Sequence, residues 1–358
     1  MRANQHSLDA DGVGSPPRAD SHDRREFPWQ QHERQSTRGV GCRVDRDIGV
    51  DAVILAAGLT PAWQQILQFD EFHVGEVNRA ARAQWCASGK VLNVGIALYH
   101  LGAECRTLSF VGGSPGEQIR TEFAAGGIPA TWVDASRNTR VCTTILNGSE
   151  GPTTELVENA PTHDSAELDR FRDAYRETVR SASTVVFSGS LPEGTPPGFV
   201  SDLLDVANCR AILDIRGPEL LAALPKQPLL VKPNREELAR TLLTSIETDE
   251  ELLSAMRELN SRGARWVAIT QGPETLWLTS QTQTYRLTPP QRKVVNPIGC
   301  GDCLAAGIAV ALDQRSDVPD AVWFGAAAAA DNLGQLLPAR LDRARIASSV
   351  MGIIIEEM

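Results

Sequence analysis

The sequence predicts an α/β protein, a central and mostly parallel sheet flanked by helices. Three observations carry that prediction. Short apolar runs of strand length alternate with stretches of helical spacing along most of the chain. Glycines close many of these segments, as at Gly58, Gly102 and Gly112-Gly113. The composition, 42% hydrophobic and 22% charged in 358 residues, is that of a globular chain long enough to bury a large core.

In chain order, residues 1–47 mix Arg, Asp, His, Gln, Ser and Pro without apolar periodicity and read as a disordered tail. Their histidines, His6, His22 and His32, have spacings that match no metal-ligand pattern. Residues 48–358 read as the folded domain. A buried strand over 50–57 ends at Gly58. A helix over 92–101, a strand over 105–111, a helix over 117–125 and a strand over 131–133 follow. A polar-faced helix over 166–180 leads into a strand over 184–187. Next come a helix over 199–206, strands over 211–213 and 229–231, helices over 236–243 and 250–261, and a strand over 266–270. Such alternation predicts parallel pairing with helices on both faces. Two stretches, 69–85 and 141–157, break the rhythm and read as antiparallel strands. Insertions of this kind form lids, here over about 60–88 and 138–158. From Asp302 to the end the chain reads as mostly helical, with the run over 326–330 in a tightly packed helix.

Charge and cysteine usage exclude several partners. The net charge is −10, from 35 Lys and Arg against 45 Asp and Glu, with no basic block. That argues against nucleic acid and anionic membranes. An anionic ligand must then be held by a few placed cations and backbone N–H groups. No stretch approaches the roughly 20 apolar residues that cross a bilayer. No apolar secretory segment follows Met1. The seven cysteines are odd in number and scattered, as in a reduced, cytoplasmic protein.

The chemistry concentrates at one glycine-rich turn. Asn296-Pro297-Ile298-Gly299-Cys300-Gly301-Asp302 precedes a small-residue helix over 303–312. Free N–H groups and the helix dipole there favour an anion, and glycines let backbone approach it. Asp302 in the first turn is placed to take a proton from an attacking hydroxyl. An anion hole with a base is the minimum set for phosphoryl transfer. The plainer reading makes Asp302 a capping residue after a tight turn. Lys232-Pro233-Asn234-Arg235-Glu236-Glu237 follows a strand end, where open α/β sheets bind ligands. Asn234 and Glu237 share a helix face, suited to a hydrated Mg²⁺, and also fit a capping box. Thr270-Gln271-Gly272 and Ser188-Gly189-Ser190-Leu191-Pro192 end strands in the same way. Cys300 and Cys303, three apart at a helix start, admit a redox reading with lowered thiol pKa, against small packing groups.

Taken together, these segments resemble the ribokinase-like carbohydrate kinases of the phosphofructokinase B family. The turn at 296–302 with Ala306-Gly307 is similar to the family's C-terminal signature, and 231–238 to its Lys-Pro-Asn-x-x-Glu segment. Ser188–Pro192 matches the Ser-Gly-Ser-Leu-Pro of its phosphosugar branch. Gly89-Lys90 with Asn93-Val94 resembles its N-terminal signature. Gly75-Glu76-Val77-Asn78-Arg79 and Thr139-Arg140-Val141-Cys142 are similar to the branch of 1-phosphofructokinase and tagatose-6-phosphate kinase. The resemblance runs from about residue 50 to the end. It implies a ribokinase-like fold with a small β-sheet lid, ATP as donor and Mg²⁺ as cofactor. It implies Asp302 as base and Gly299, Cys300 and Gly301 as the anion hole. Asn234 and Glu237 would serve Mg²⁺ and phosphate, while Lys232, Thr270 and Gly272 would line the nucleotide. Lys90 and Arg140 would clamp the phosphate on the sugar, with Gly89, Asn93 and Ser190 beside it. A monovalent cation such as K⁺ would sit near the carbonyls of Asn296 and Ile298.

Four positions depart from the family pattern. Gln64 stands where a sugar-gripping aspartate is usual. Ser88 and Val91 replace glycines of the N-terminal signature, and Thr275 replaces one in the nucleotide loop. The expected activity is ATP-dependent phosphorylation of a ketohexose monophosphate, with fructose 1-phosphate first and tagatose 6-phosphate second. The alternative is a non-catalytic sugar-phosphate or nucleotide sensor on the same fold, against which the retained Asp302 argues. Pairing of two copies through the lid is a further expectation.

Overall fold

Aliphatic runs of strand length build one ten-stranded sheet in the computed structural model, which describes residues 53–148, 151–272, 274–289, 292–349 and 353–358. The tail over 1–47, with its three histidines, lies outside the described residues. The strands of this sheet are β1 (Val53–Ala57), β4 (Cys105–Val111), β5 (Ala130–Asp134), β8 (Ala182–Ser188), β9 (Arg210–Asp214), β10 (Leu230–Val231), β11 (Trp266–Ile269), β12 (Leu276–Thr279), β13 (Thr284–Thr288) and β14 (Ile354–Glu357). A smaller sheet holds β2 (Ala62–Phe69), β3 (Arg82–Ser88), β6 (Arg140–Asn147) and β7 (Thr153–Val157). The helices are α1 (Lys90–His100), α2 (Gly113–Ala125), α3 (Ser165–Val179), α4 (Phe199–Asp205), α5 (Gly217–Ala223), α6 (Arg235–Leu242), α7 (Asp249–Ser261), α8 (Cys300–Asp313), α9 (Val318–Leu333) and α10 (Arg343–Ser349).

The large sheet runs β14-β13-β12-β11-β10-β9-β8-β1-β4-β5, parallel from β11 to β5 and antiparallel from β11 to β14. Four of the five residues of β1 are buried, as expected of a strand covered on both faces. One face carries the main core, where Phe110, Phe171, Phe187 and Phe199 meet among aliphatics. With seven parallel strands, the carboxyl ends open on one crevice, and the site lies there.

The rhythm breaks form a separate sheet whose pairs β2–β3 and β6–β7 are antiparallel, as read, and β2 joins β6 in parallel over eight positions from Ala62↔Arg140 to Phe69↔Asn147. Two expectations are corrected. Strands β2 and β3 flank residues 70–81, which connect them, so the first break was placed too far along the chain. At the C-terminus, β14 pairs with β13 from Tyr285↔Glu357 to Thr288↔Ile354 instead of continuing the helices. That four-residue run is too short to reveal a period. The hairpin β12–β13 and helix α5 had no counterpart in the sequence reading. In α5, Pro218 sits in the first helical turn, where its missing N–H costs no bond.

Two glycines set how α8, which carries Asp302, lies on α9. A Cβ on Gly307 would come within 2.7 Å of the Gly325 Cα, and one on Gly325 within 2.6 Å of the Leu304 carbonyl. The helix backbones therefore touch, and each helix is almost wholly buried along the contact. Gly325→Ala should destabilise the protein by about 1–3 kcal/mol through overpacking against backbone. Denaturant unfolding measures it, and an unchanged midpoint would contradict the close crossing.

Candidate active site

The turn before α8 is shaped by Gly299, which caps the helix with φ at 85°. Only glycine takes that conformation without strain, and a Cβ would press on Pro338 at 3.0 Å. The Cys303 N–H bonds the Gly299 carbonyl, so the helix begins at once and the N–H groups of Gly301 and Asp302 have no intrahelical acceptor. Asn332 of α9 braces the turn. Its Nδ2 donates to the Ile298 carbonyl at 2.8 Å and to Cys300 Sγ at 3.3 Å, and its Oδ1 accepts from the Ala339 N–H. Nothing in the spacing of the motif pointed to Asn332. Its bond to the Ile298 carbonyl competes with the expected monovalent cation there. Asn296 likewise turns inward, with Oδ1 accepting from the Ile298 N–H and Nδ2 donating to the Leu336 carbonyl.

Asp302 is buried at the floor of this turn. Its Oδ2 accepts from Asn93 Nδ2 at 2.8 Å, and Asn93 Oδ1 accepts from the Ser88 hydroxyl. Asn93 thus bonds the carboxylate directly, a contact that the sugar role implied by the resemblance did not include. Burial pushes the Asp302 carboxyl up to about 6, helped by Asp214 and opposed by Lys90, Asn93 and Lys232. A carboxylate with a pKa there is ionised at neutral pH and basic enough to accept a proton.

Asp214, at the carboxyl end of β9, was missed by sequence reasoning. It is 1% exposed, and its Oδ1 lies 3.2 Å from Lys90 Nζ and 3.3 Å from Lys232 Nζ, while Oδ2 accepts from the Ser188 hydroxyl. The signal was available: an aspartate ending a parallel strand faces the crevice. Burial alone would raise Asp214, but Lys232 and Lys90 outweigh it and hold the carboxyl low. Burial alone would lower Lys90, but Asp214, Glu237 and Asp302 outweigh it and raise the ammonium. Lys90 is accordingly tied to two carboxylates, Asp214 and Glu237 Oε1 at 3.3 Å, before any ligand arrives. Lys232 sits beneath the turn, 3.3 Å from where a Cβ on Gly301 would lie.

Asn234 and Glu237 form the capping box of α6. Asn234 Oδ1 accepts from the Glu237 N–H, and Glu237 Oε2 accepts from the Asn234 N–H. Capping leaves Glu237 Oε1 facing Lys90 and Arg216. Arg140 donates to the carbonyls of Thr60, Pro61 and Glu158. Gln64 Nε2 donates to the Thr144 hydroxyl at 2.7 Å. The departure at Val91 proves harmless to the pocket. Val91 is fully buried against Gly58, whose Cβ would come within 2.9 Å of it, and it does not line the cavity. Gly89 keeps the close approach of the family turn, with φ at 85° and a Cβ position 2.9 Å from Ala62 N and the Thr60 carbonyl.

The surroundings of Cys300 and Cys303 support packing over the redox reading. Cys300 and Cys303 are free thiols. Burial pushes Cys300 up to about 11 and Cys303 well above its ordinary value, so the helix start does not produce a thiolate. Both are small packing groups, Cys303 wholly buried in the α8–α9 contact.

These residues surround a cavity of about 680 Å³ that runs from Gln64, Gly89, Lys90 and Asn93, past Gly299, Gly301 and Asp302, to Lys232, Asn234, Thr270 and Gly272. Its far end is walled by Leu276, Leu287, Val294, Ala326, Ala330 and Leu333, an apolar slot that fits a planar base. Gly272 has φ at 61° and open space around it, so its backbone can approach a phosphate. Ser190 is exposed and lines a smaller adjoining pocket instead. Among the described residues no cluster of three or more His, Cys, Asp or Glu is arranged around a metal. Glu237 lines the cavity and offers one carboxylate, a donor that suits Mg²⁺ carried by phosphates. Among the described residues no helix is long and apolar enough to cross a membrane.

Asp214→Asn should leave the buried Lys232 ammonium without a counter-charge, while Lys90 keeps Glu237, and cost about 3–5 kcal/mol of stability. Urea unfolding at neutral pH checks this. A loss below about 1 kcal/mol would show that Lys232 finds another partner.

Comparison with known proteins agrees with this geometry. Residues 59–338 match the model of the pfkB family carbohydrate kinases. A tagatose-6-phosphate kinase of Staphylococcus epidermidis is 30% identical over 272 residues, covering 74% of this chain and 87% of its own. A structure named "Possible 1-phosphofructokinase" from Thermotoga maritima superposes with a TM-score of 0.79 at 21% identity, covering 86% of this chain and 99% of that one. Phosphofructokinase-2 from Escherichia coli in complex with fructose-6-phosphate superposes with a TM-score of 0.75 at 23% identity, covering 84% and 99%. The chain belongs to the pfkB family of carbohydrate kinases, with the ribokinase-like fold that the family model and the superpositions share.

Proposed function

We propose that the protein is an ATP-dependent phosphosugar kinase that phosphorylates a hydroxyl of a ketohexose monophosphate. The observation that carries this reading is Asp302, buried, raised to about 6 and held by Asn93 beside a helix start with free N–H groups. Asp302 takes the proton of the acceptor hydroxyl as the oxygen attacks, and Asn93 fixes the carboxylate for it. The N–H groups of Gly301 and Asp302, with Lys232 beneath them, stabilise the charge on the transferring phosphoryl. Thr270 and Gly272 lie along the nucleotide phosphates. Mg²⁺, held through water by Glu237 and Asn234, would neutralise phosphate charge when bound. Gln64, with its nitrogen committed to Thr144, offers its oxygen to a sugar hydroxyl. Lys90, Arg140 and Ser190 serve the phosphate already on the sugar.

Of the two acceptors expected, tagatose 6-phosphate has the support of the staphylococcal relative's name and of its identity to this chain. The small sheet acts as the lid in this reading. Its inner face contributes Gln64, Cys142 and Glu155 to the cavity. Its outer face stacks Trp63 on Trp85 at 6.0 Å with Trp85 45% exposed, a surface suited to a second copy.

Asp302→Asn should lower kcat by ~10²–10⁴-fold while nucleotide affinity stays within a few-fold. In the wild type, kcat/KM should fall as pH drops below about 6, because a protonated Asp302 cannot accept the hydroxyl proton. Near-normal turnover in the variant would remove Asp302 from the role of base. A coupled ADP-release assay across fructose 1-phosphate, tagatose 6-phosphate, fructose 6-phosphate and the free ketoses tests the substrate class. The phosphorylated sugars should be strongly preferred, and preference for an unphosphorylated sugar would reject the reading.

A further inference from the structure

Three cations line the small pocket next to the main cavity, and two of them are already committed. The pocket measures about 100 Å³ and is bounded by Thr60, Lys90, Arg140, Ser190, Arg216 and Glu237, among others. That is room for several waters or one tetrahedral anion. Lys90 is bonded to Asp214 and Glu237. Arg140 spends its donors on three backbone carbonyls.

Arg216 is held differently. It follows Asp214 at the carboxyl end of β9, one residue before α5. Its side chain is 48% exposed, and its guanidinium meets Glu237 Oε1 at 3.6 Å, an ion pair too long for a hydrogen bond. An exposed pair of that length contributes little and is readily exchanged. Glu237 does not need it. Lys90 stays on Oε1, and the Asn234 N–H stays on Oε2.

We propose that Arg216 is the residue that reads the phosphate already on the acceptor sugar, leaving Glu237 when that phosphate enters the small pocket. The proposal rests on the phosphosugar reading above and assigns it a specificity-determining residue. A guanidinium presents two parallel N–H groups to a phosphate, which a fixed Lys90 cannot do. With Asp214 and Glu237 both engaged by lysine, the lining of three cations against two carboxylates keeps a positive excess for the incoming dianion. Arg140 contributes position, Ser190 a hydroxyl, and Arg216 the donors that are free to move.

The test uses Arg216→Met and Arg216→Lys in the full-length protein. Inorganic phosphate is the probe, read by thermal shift against chloride of equal ionic strength, together with KM for the phosphosugar that the assay panel selects. Arg216→Met should weaken phosphate binding and raise KM by about tenfold or more, with the loss in KM and not in kcat. Arg216→Lys should recover part of the loss. Ligand-free melting curves show whether each variant is folded, and the lysine variant carries the test if the methionine variant is not. A wild type that prefers phosphorylated sugars, with variants that match it in phosphate binding and KM, overturns the role of Arg216 alone. A wild type that prefers free sugars and takes no stabilisation from phosphate overturns the phosphosugar reading and this proposal with it.

Discussion

A single buried carboxylate, Asp214, orders the catalytic crevice. It has two lysines and a serine as partners, drawn from α1, the β10–α6 connection and β8. Each of these elements meets the same edge of the large sheet, so their polar groups converge on the floor of the cavity. Removing the carboxylate from that point would leave Lys232 buried without its counter-charge. With it in place, Lys232 can sit under the glycine turn and Lys90 can reach Glu237. The same negative charge stands close enough to Asp302 to help raise its pKa. One residue thus fixes where the cations stand and tunes the group that receives the proton.

Much of this was legible in the sequence, and the exceptions have physical reasons. A strand with both faces buried, such as β1, announces itself as an unbroken apolar run. The glycine turn and Asp302 were readable because left-handed φ values and free helix N–H groups demand particular residues. Asp214 was harder, since one aspartate after a short apolar run looks like any strand end until the parallel order is known. Asn332 could not be found from local pattern. It lies in α9, distant in sequence from the turn it braces, and only the α8–α9 packing brings it there. The parallel pairing of β2 with β6 was invisible for a similar reason: alternation gives the face of a strand and not the direction of its neighbour.

Departures from the family motif had looked like damage to the sugar pocket, and the structure separates them. Val91 belongs to the core, where Gly58 makes space for it, so its bulk never meets a ligand. Gln64 does face the cavity, and its bond to Thr144 ties it to the neighbouring strand of the small sheet. An amide anchored this way keeps a fixed oxygen in place of a charge. Discrimination among sugars then depends on where β2 and β6 hold that oxygen, and less on electrostatic strength.

The segment that follows α9 has a reach out of proportion to its length. The Leu333 carbonyl receives the N–H groups of Val295 and Asn296, Leu336 and Leu337 pack on the inner core of the small sheet, and Pro338 abuts Gly299. Arg340 then bonds Glu122 of α2. During synthesis the lysines, Asp214 and both sheets' central strands leave the ribosome well before this strap does. The phosphate-binding turn therefore gains its brace only once the chain beyond α9 has been made. A chain cut short before this strap would lack the backbone, apolar and ionic contacts that tie the turn to the small sheet and α2.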